Sequence, residues 1–228
     1  MKPEISVIIR SKNEELWIGQ CLLAISLQDF QNFEIIIVDN ESSDQTLKIA
    51  KKYDCRILSI SKTKFSYSRA LNMGIKKSRG NLIAIISAHC IPVNERWLSR
   101  LSMHFRDPSV SAVYGKQEPF VDSEPINKRD LWVTFGQDRK FQRRDFFFHN
   151  ANSMIRKDLW VKNNFNENID SLEDQEWAKK ILNKDNKNII VYEPFASVFH
   201  FHGIHQSNDE DRVLRNVKVI EYIQRRLK

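Results

Sequence analysis

The chain has 228 residues, 41% hydrophobic and 11% aromatic, enough to bury one substantial core in a single domain. Lysine and arginine exceed aspartate and glutamate by 36 − 29 = 7, so charge favours partners that carry phosphate: a nucleotide, a nucleic acid or an anionic membrane face. Cys21, Cys55 and Cys90 are odd in number without C-x-x-C spacing, which removes a disulfide framework and a zinc ribbon and points to a reducing cytosol. The opening apolar run Ile5–Ile9 is too short for a signal segment, and no run approaches the roughly 20 residues of a membrane span.

Ile5–Ile9 reads as a buried strand, closed by the polar cluster Arg10-Ser11-Lys12-Asn13-Glu14, after which Leu16, Ile18, Cys21, Leu22 and Ile25 have helical spacing. Glu34–Val38 repeats the pattern, with Asp39 at the strand end and a helix through Leu47 and Ala50. Arg56–Ile60 predicts a third strand, Ser61–Tyr67 a basic loop, and Ser68–Lys77 a helix. Leu82–Ile86 is a continuous apolar run of the kind buried on both faces, ending in Ser87-Ala88-His89-Cys90; Pro92 stops further pairing and Asn94 caps a helix through Trp97 and Leu101. Alternating strands and helices argue for a parallel sheet of βαβ units, which bind ligands at the carboxyl ends of their strands. The glycine patterns of dinucleotide-binding and P-loop folds do not occur.

In the second half Val110–Tyr114 predicts a strand ending at Gly115-Lys116-Gln117-Glu118-Pro119, and 120–144 a partly helical insertion able to shape acceptor access. Phe146–Asn152 reads as a buried strand, Ile155–Trp160 as a short helix, and Leu172–Leu182 as a helix whose first turn carries Glu173 and Asp174. Ile189–Tyr192 and Ala196–His200 read as two last strands. Asp209–Lys228 predicts a helix with one apolar stripe flanked by basic residues; such a stripe docks on the parent domain, or in the rival reading makes a peripheral membrane contact.

The ordered set SVIIRSKNEE, IIIVDNESSDQT, SRALNMGIKKSRGNLIAIISAHC, VNERWLSRL and LEDQEWAKK resembles the family 2 glycosyltransferases of GT-A fold, particularly the rhamnosyltransferase-like members, over nearly the whole chain. The resemblance implies a single α/β GT-A-type domain, 1–228, with a mostly parallel central sheet flanked by helices. Residues 1–115 would form the nucleotide-sugar half, 116–208 the acceptor and catalytic half, and 209–228 the terminal amphipathic helix. Arg10, Asn13, Glu14 and Asp39 would grip the nucleoside, with Asp39 accepting from a base N–H and Glu14 near base or ribose. Arg69 and Asn72, one helical turn apart, would face the diphosphate, and Ser87 the nucleotide. Against these stand plainer readings: Glu14 favouring a helix N-terminus, and Arg69 as a solvated charge.

Ser87-Ala88-His89 stands where most of the family carries Asp-x-Asp. A hydroxyl and an imidazole bring no negative charge, so a divalent cation, Mn2+ or Mg2+, is held less firmly if it is Mg2+. His89, His200 and His202 would form an all-imidazole site, unless His89 is a packed strand-end histidine; without metal, Lys62, Lys64 and Arg69 would face the diphosphate. By similarity Lys116 and Gln117 border the sugar, Asn150 and Asn152 join the substrate site, and Asp174 is the general base, with Glu173 as its understudy.

The resulting expectation is an inverting glycosyltransferase. It moves a sugar from a nucleotide-diphosphate donor to a hydroxyl of a glycan or lipid-linked acceptor in surface polysaccharide biosynthesis, in the cytoplasm or at the inner membrane face. The alternative is a non-catalytic nucleotide-sugar or carbohydrate binding module derived from such an enzyme. Nucleic acid is not an expected partner, because no recognition motif accompanies the basic charge.

Overall fold

Short apolar runs closed by polar clusters give the strands, and the helices between them lay their apolar faces on the resulting sheet. The computed structural model describes residues 2–169, 171–200 and 218–225. In chain order these form β1 (Ile5–Ser11), α1 (Ile18–Ser26), β2 (Phe33–Asp39), α2 (Thr46–Ala50), β3 (Arg56–Ser59), α3 (Tyr67–Lys77), β4 (Leu82–Ser87), β5 (Cys90–Pro92) and α4 (Trp97–Ser102). A 3-10 turn (Met103–Arg106) leads to β6 (Val110–Pro119), α5 (Pro125–Thr134), β7 (Lys140–Gln142), β8 (Asn152–Arg156), α6 (Lys157–Lys162), α7 (Glu173–Lys184) and β9 (Ile189–His200). A further helical stretch occupies 218–225.

The strands form one sheet in the order β3-β2-β1-β4-β8-β6-β9-β5, with β7 also on β9. β3, β2, β1 and β4 run parallel, as do β6 and β9; β8 lies antiparallel between β4 and β6, and β5 and β7 lie antiparallel against β9. Period-two alternation sends Ile5, Val7 and Ile9 to a layer shared with Ile18, Leu22 and Ile25 of α1 and Trp97 and Leu101 of α4. Ile8 joins the opposite layer, with Ala70, Leu71 and Ile75 of α3 and Trp177, Ile181 and Leu182 of α7. A Cβ at Gly74 would stand 2.7 Å from Ile8 Cγ2, so α3 lies directly on the sheet because that residue has no side chain.

The chain leaves β1 for β2 and β3, then returns to the other side of β1 as β4, which makes the carboxyl ends of β1 and β4 a switch point where a crevice opens. Register sets Arg10 beside Ser87 there, and β2 ends one strand away at Asp39.

Several expected boundaries move. Phe146–Asn152 is not a strand: Gln142 Nε2 donates to the carbonyls of Asp145 and Phe147, so a side chain takes acceptors a ladder would use, while Phe148 is buried against Trp177. The strand begins instead at Asn152, and the helix expected at Ile155–Trp160 becomes α6, starting at Lys157. The two strands expected at the end are the single β9, which carries Pro194 through a register shift against β6 between Gly115 and Gln117. Cys90–Pro92, read as a strand end, is a short edge strand on β9 with proline as its last paired residue. Asn94 accepts from the Arg96 N–H before α4, and the Leu98 N–H inside the helix goes to Gln28 Oε1. In the terminal helix Ile223 is buried and its carbonyl accepts from Lys179 Nζ of α7 at 2.7 Å, which supports docking for the part described; the rest of 209–228 lies outside the described residues.

Candidate active site

An ion pair joins the two halves of the chain at the crevice. Arg10, carried to the crevice by β1, places Nη1 3.4 Å from Glu173 Oε1 in the first turn of α7, and its guanidinium lies 4.8 Å from the centre of the Tyr67 ring at the start of α3. Asn150 holds both acids: its backbone N–H donates to Asp174 Oδ2 at 3.0 Å and its Nδ2 to Glu173 Oε1 at 3.4 Å. Asp174 Oδ1 also accepts from the Gln175 N–H. The helix begins after Leu172, held at φ 57° in the left-handed region, a conformation non-glycine residues adopt at a cost and most often at functional turns.

Glu173 and Asp174 are 5% and 7% exposed. Burial raises both carboxyls above their ordinary values; for Glu173 the neighbouring Asp174 adds to the rise, while Arg10 pulls the other way on both. His149 stands beside them. Its Nδ1 accepts from the Ala151 N–H, so the neutral ring carries its proton on Nε2, and burial pushes its pKa down to about 4, opposed by Glu173 and aided by Arg10.

A second group lines the same end of the sheet. Glu14 Oε1 is 2.8 Å from His89 Nδ1, the His89 and His200 rings stack at 5.1 Å with planes 11° apart, and His200 Nδ1 is 2.6 Å from Gln117 Oε1. Since a carboxylate and an amide oxygen only accept, both imidazoles donate from Nδ1, and Nε2 is the unprotonated nitrogen of each neutral ring. Around the end of β2, Asp39 accepts from the Ser42 N–H and hydroxyl at 2.9 and 2.5 Å. Asn13, itself at φ 53°, accepts from the Ser43 N–H at 2.8 Å, so the loops after β1 and β2 are knitted together.

The structure thus brings together Arg10, Glu173, Asp174 and Asn150, and separately Glu14, His89, His200 and Gln117. Glu14, expected at the base or ribose, has its Oε1 on His89 Nδ1. Ser87 closes β4 with its N–H on the Ala151 carbonyl. Lys116, expected at the sugar, pairs with Glu118 at 2.6 Å.

Three expectations fare differently. Asn152 is not available to substrate: it is fully buried, Oδ1 accepting from Trp97 Nε1 and Nδ2 donating to the carbonyls of Lys116 and Ala196. Arg69 and Asn72, expected at the diphosphate, both reach Glu167, and the Asn72 amide also meets Trp160 Nε1 and the Phe165 N–H and carbonyl. His202 lies outside the described residues.

His149 and Tyr67 are site residues that the sequence expectations do not include. His149 precedes Asn150 in a polar turn, and a titratable side chain beside an asparagine there is its signal in the sequence. Tyr67 matters only through its ring face toward Arg10, which no spacing announces. A hollow of about 1260 Å3 opens at the opposite end of the strands, between Glu4, Asn81, Arg96, Arg100 and Arg156. It contains neither acid, and size alone does not locate chemistry.

Residues 6–163 match the family described as glycosyl transferase family 2. Glycosyltransferase AglE of Haloferax volcanii is 33% identical over 51% of this chain and 40% of that protein. The O-antigen chain rhamnosyltransferase WbaN of Salmonella anatum is 25% identical over 79% of this chain and 60% of that protein. The chain spans less than two thirds of the length of either relative. Among solved structures, the mannosyltransferase PcManGT from Pyrobaculum calidifontis, in complex with GDP-Man and Mn2+, superimposes with TM-score 0.70 at 17% identity, covering 97% of this chain and 65% of that one. S. aureus TarS 1-349 in complex with UDP-GlcNAc gives 0.65 at 20% identity over 95% and 66%. These likenesses establish the fold, which is the GT-A-type architecture expected above. With more than half of its length matched, the chain belongs to glycosyl transferase family 2.

Proposed function

We propose that this chain transfers a sugar from a nucleotide-diphosphate donor to a hydroxyl of a glycan or lipid-linked acceptor in surface polysaccharide biosynthesis, with inversion. The observation that carries the reading is the pair of buried acids in the first turn of α7, joined through Arg10 to the carboxyl end of β1. An ordinary aspartate is a weak base toward an alcohol. Burial makes Asp174 a stronger one, and the backbone N–H of Asn150 fixes the direction of its oxygen.

In the step we infer, the acceptor oxygen attacks the anomeric carbon as its proton passes to Asp174, and the bond from that carbon to the donor phosphate breaks with its electrons leaving on the diphosphate. Arg10 is placed to meet that negative charge. Glu173 and Asn150 position the base and the guanidinium. Residues 1–115 serve the donor in this reading, with Asp39 and Asn13 shaping the nucleoside loops, and 116–208 serve the acceptor. A lipid-linked acceptor sets the work at the cytoplasmic face of a membrane.

A divalent cation is part of the proposal on the strength of the donor pattern and of the Mn2+ complex of the mannosyltransferase neighbour. Ligating imidazoles characteristically give their other N–H to a carboxylate or carbonyl, as His89 does to Glu14 and His200 to Gln117. Such nitrogen donors fit manganese or a softer transition ion better than Mg2+. No cluster of three His, Cys, Asp or Glu that could hold a metal occurs among the described residues, so His89 and His200 are the candidate pair, with His202 beyond them in sequence. The ion would neutralise charge on the departing diphosphate.

The test is a calorimetric screen of UDP-, GDP- and dTDP-sugars with and without Mn2+, followed by assay of each bound donor for turnover. Binding with slow hydrolysis supports the transferase. Tight binding of a donor that is never turned over, with or without an acceptor mixture, supports the binding module instead.

A further inference from the structure

Residues 120–144 border the crevice and turn an apolar side outward. Phe120 packs on Trp17 and Phe199 with ring centroids 5.0 and 5.5 Å apart, and buried Phe135 packs on Phe147, His149 and Tyr192. α5 is therefore pinned at both ends, with buried Leu131 as its inward anchor. A surface helix is ordinarily polar opposite such an anchor. Here Ile126 and Val133, two turns apart on the outer face, are 52% and 79% exposed, and Trp132 on their flank is 59% exposed. The segment after α5 is fastened down by Tyr192, whose hydroxyl donates to the Gly136 carbonyl at 2.7 Å, and by Arg139, 2.6 Å from buried Glu193. It displays Phe141, 61% exposed, beside the exposed cations Lys140, Arg143 and Arg144, with Asp138 and Asp145 bracketing the run.

We propose that this face docks on an anionic lipid bilayer, the apolar side chains entering the interface while Lys140, Arg143 and Arg144 meet headgroup phosphates. Three features favour a bilayer. Exposed aromatics interleaved with cations suit the boundary between apolar and charged layers. A second copy presenting the same face would set these cations against one another. Ile126, Trp132, Val133 and Phe141 stand out from the surface and line none of the hollows of about 1260, 450 and 520 Å3. Docking in this way sets the segment that borders the crevice against the membrane. The inference does not require the transferase reading and is tested without a sugar.

The full chain is sedimented with vesicles of equal parts phosphatidylglycerol and phosphatidylcholine, and with phosphatidylcholine alone. We expect binding to the mixed vesicles that falls with salt. Partitioning drops by about tenfold or more in Trp132→Ser/Val133→Ser and in Lys140→Gln/Arg143→Gln/Arg144→Gln. Leu23→Ser/Leu27→Ser, at exposed leucines at the end of α1 on the other side of the sheet, binds as the wild type does, and circular dichroism verifies that all variants fold. Equal sedimentation of all variants overturns the proposal, as does failure of the wild type to bind. A wild-type dimer in ultracentrifugation that Trp132→Ser/Val133→Ser dissociates overturns it in favour of a second copy.

Discussion

Glu173 and Asp174 are held where an ionised carboxylate is poorly solvated, and the same placement acts in opposite directions on chemistry and on stability. A raised carboxyl is a better base, so turnover should fall as pH drops through its folded value. For stability the sign follows from linkage: a carboxyl raised on folding contributes stability that is complete below its unfolded pKa and lost as pH rises through the folded one. Glu173→Gln keeps an oxygen for Asn150 Nδ2 and Arg10 while removing the buried charge. Its melting temperature should therefore exceed that of the wild type at pH 7 and converge with it near pH 3; a lower value at pH 7 would show that the Arg10 pair outweighs burial. His149 has the reverse sign, contributing stability above its unfolded pKa that is lost as pH falls. Its ring resonances should titrate near pH 4, and a midpoint in the usual histidine range would mean that the imidazole is solvated.

At the scale of elements, the strand and helix starts legible in the sequence are those where side-chain period and local turn chemistry agree. Ile5–Ile9, Glu34–Val38 and Leu82–Ile86 alternate or run apolar between polar clusters, and each lies within the strand it predicts. Phe146–Phe148 misleads because three aromatics suggest a strand, whereas the Phe147 carbonyl and N–H are taken by the nearby side chains of Gln142 and Asp145. Asn152 misleads in the other direction: an asparagine in a polar turn reads as a substrate contact, but it is a buried clamp tying β8 to α4, β6 and β9. Asn152→Ala should cost about 2–4 kcal/mol in denaturant unfolding, since Trp97 Nε1 and two carbonyls lose their partner without water to replace it. A loss within about 0.5 kcal/mol would mean that the clamp is replaceable.

On the scale of the whole molecule, the alternation of strands and helices made the architecture legible, and the order of the five segments made the family legible. The site was legible only in part. Glu173 and Asp174 stand out as two acids opening an apolar-faced helix, and His89 stands out by departing from a pattern. Their partners come from remote positions: Arg10 is 163 residues from Glu173, and Gln117 is 83 from His200. Such pairings depend on how β1, β6 and β9 are ordered across the sheet, which local spacing does not encode. Arg69 and Asn72 show the same limit, since helical spacing put them on one face without saying that the face meets 160–167.

The central claim is that Asp174, fixed by the Asn150 N–H across from Arg10, takes the acceptor proton. Its most direct test measures donor affinity and turnover side by side in the wild type and in Asp174→Asn. The account predicts donor binding within about twofold of the wild type and turnover lower by roughly 10²–10⁴. Wild-type turnover by Asp174→Asn would contradict it.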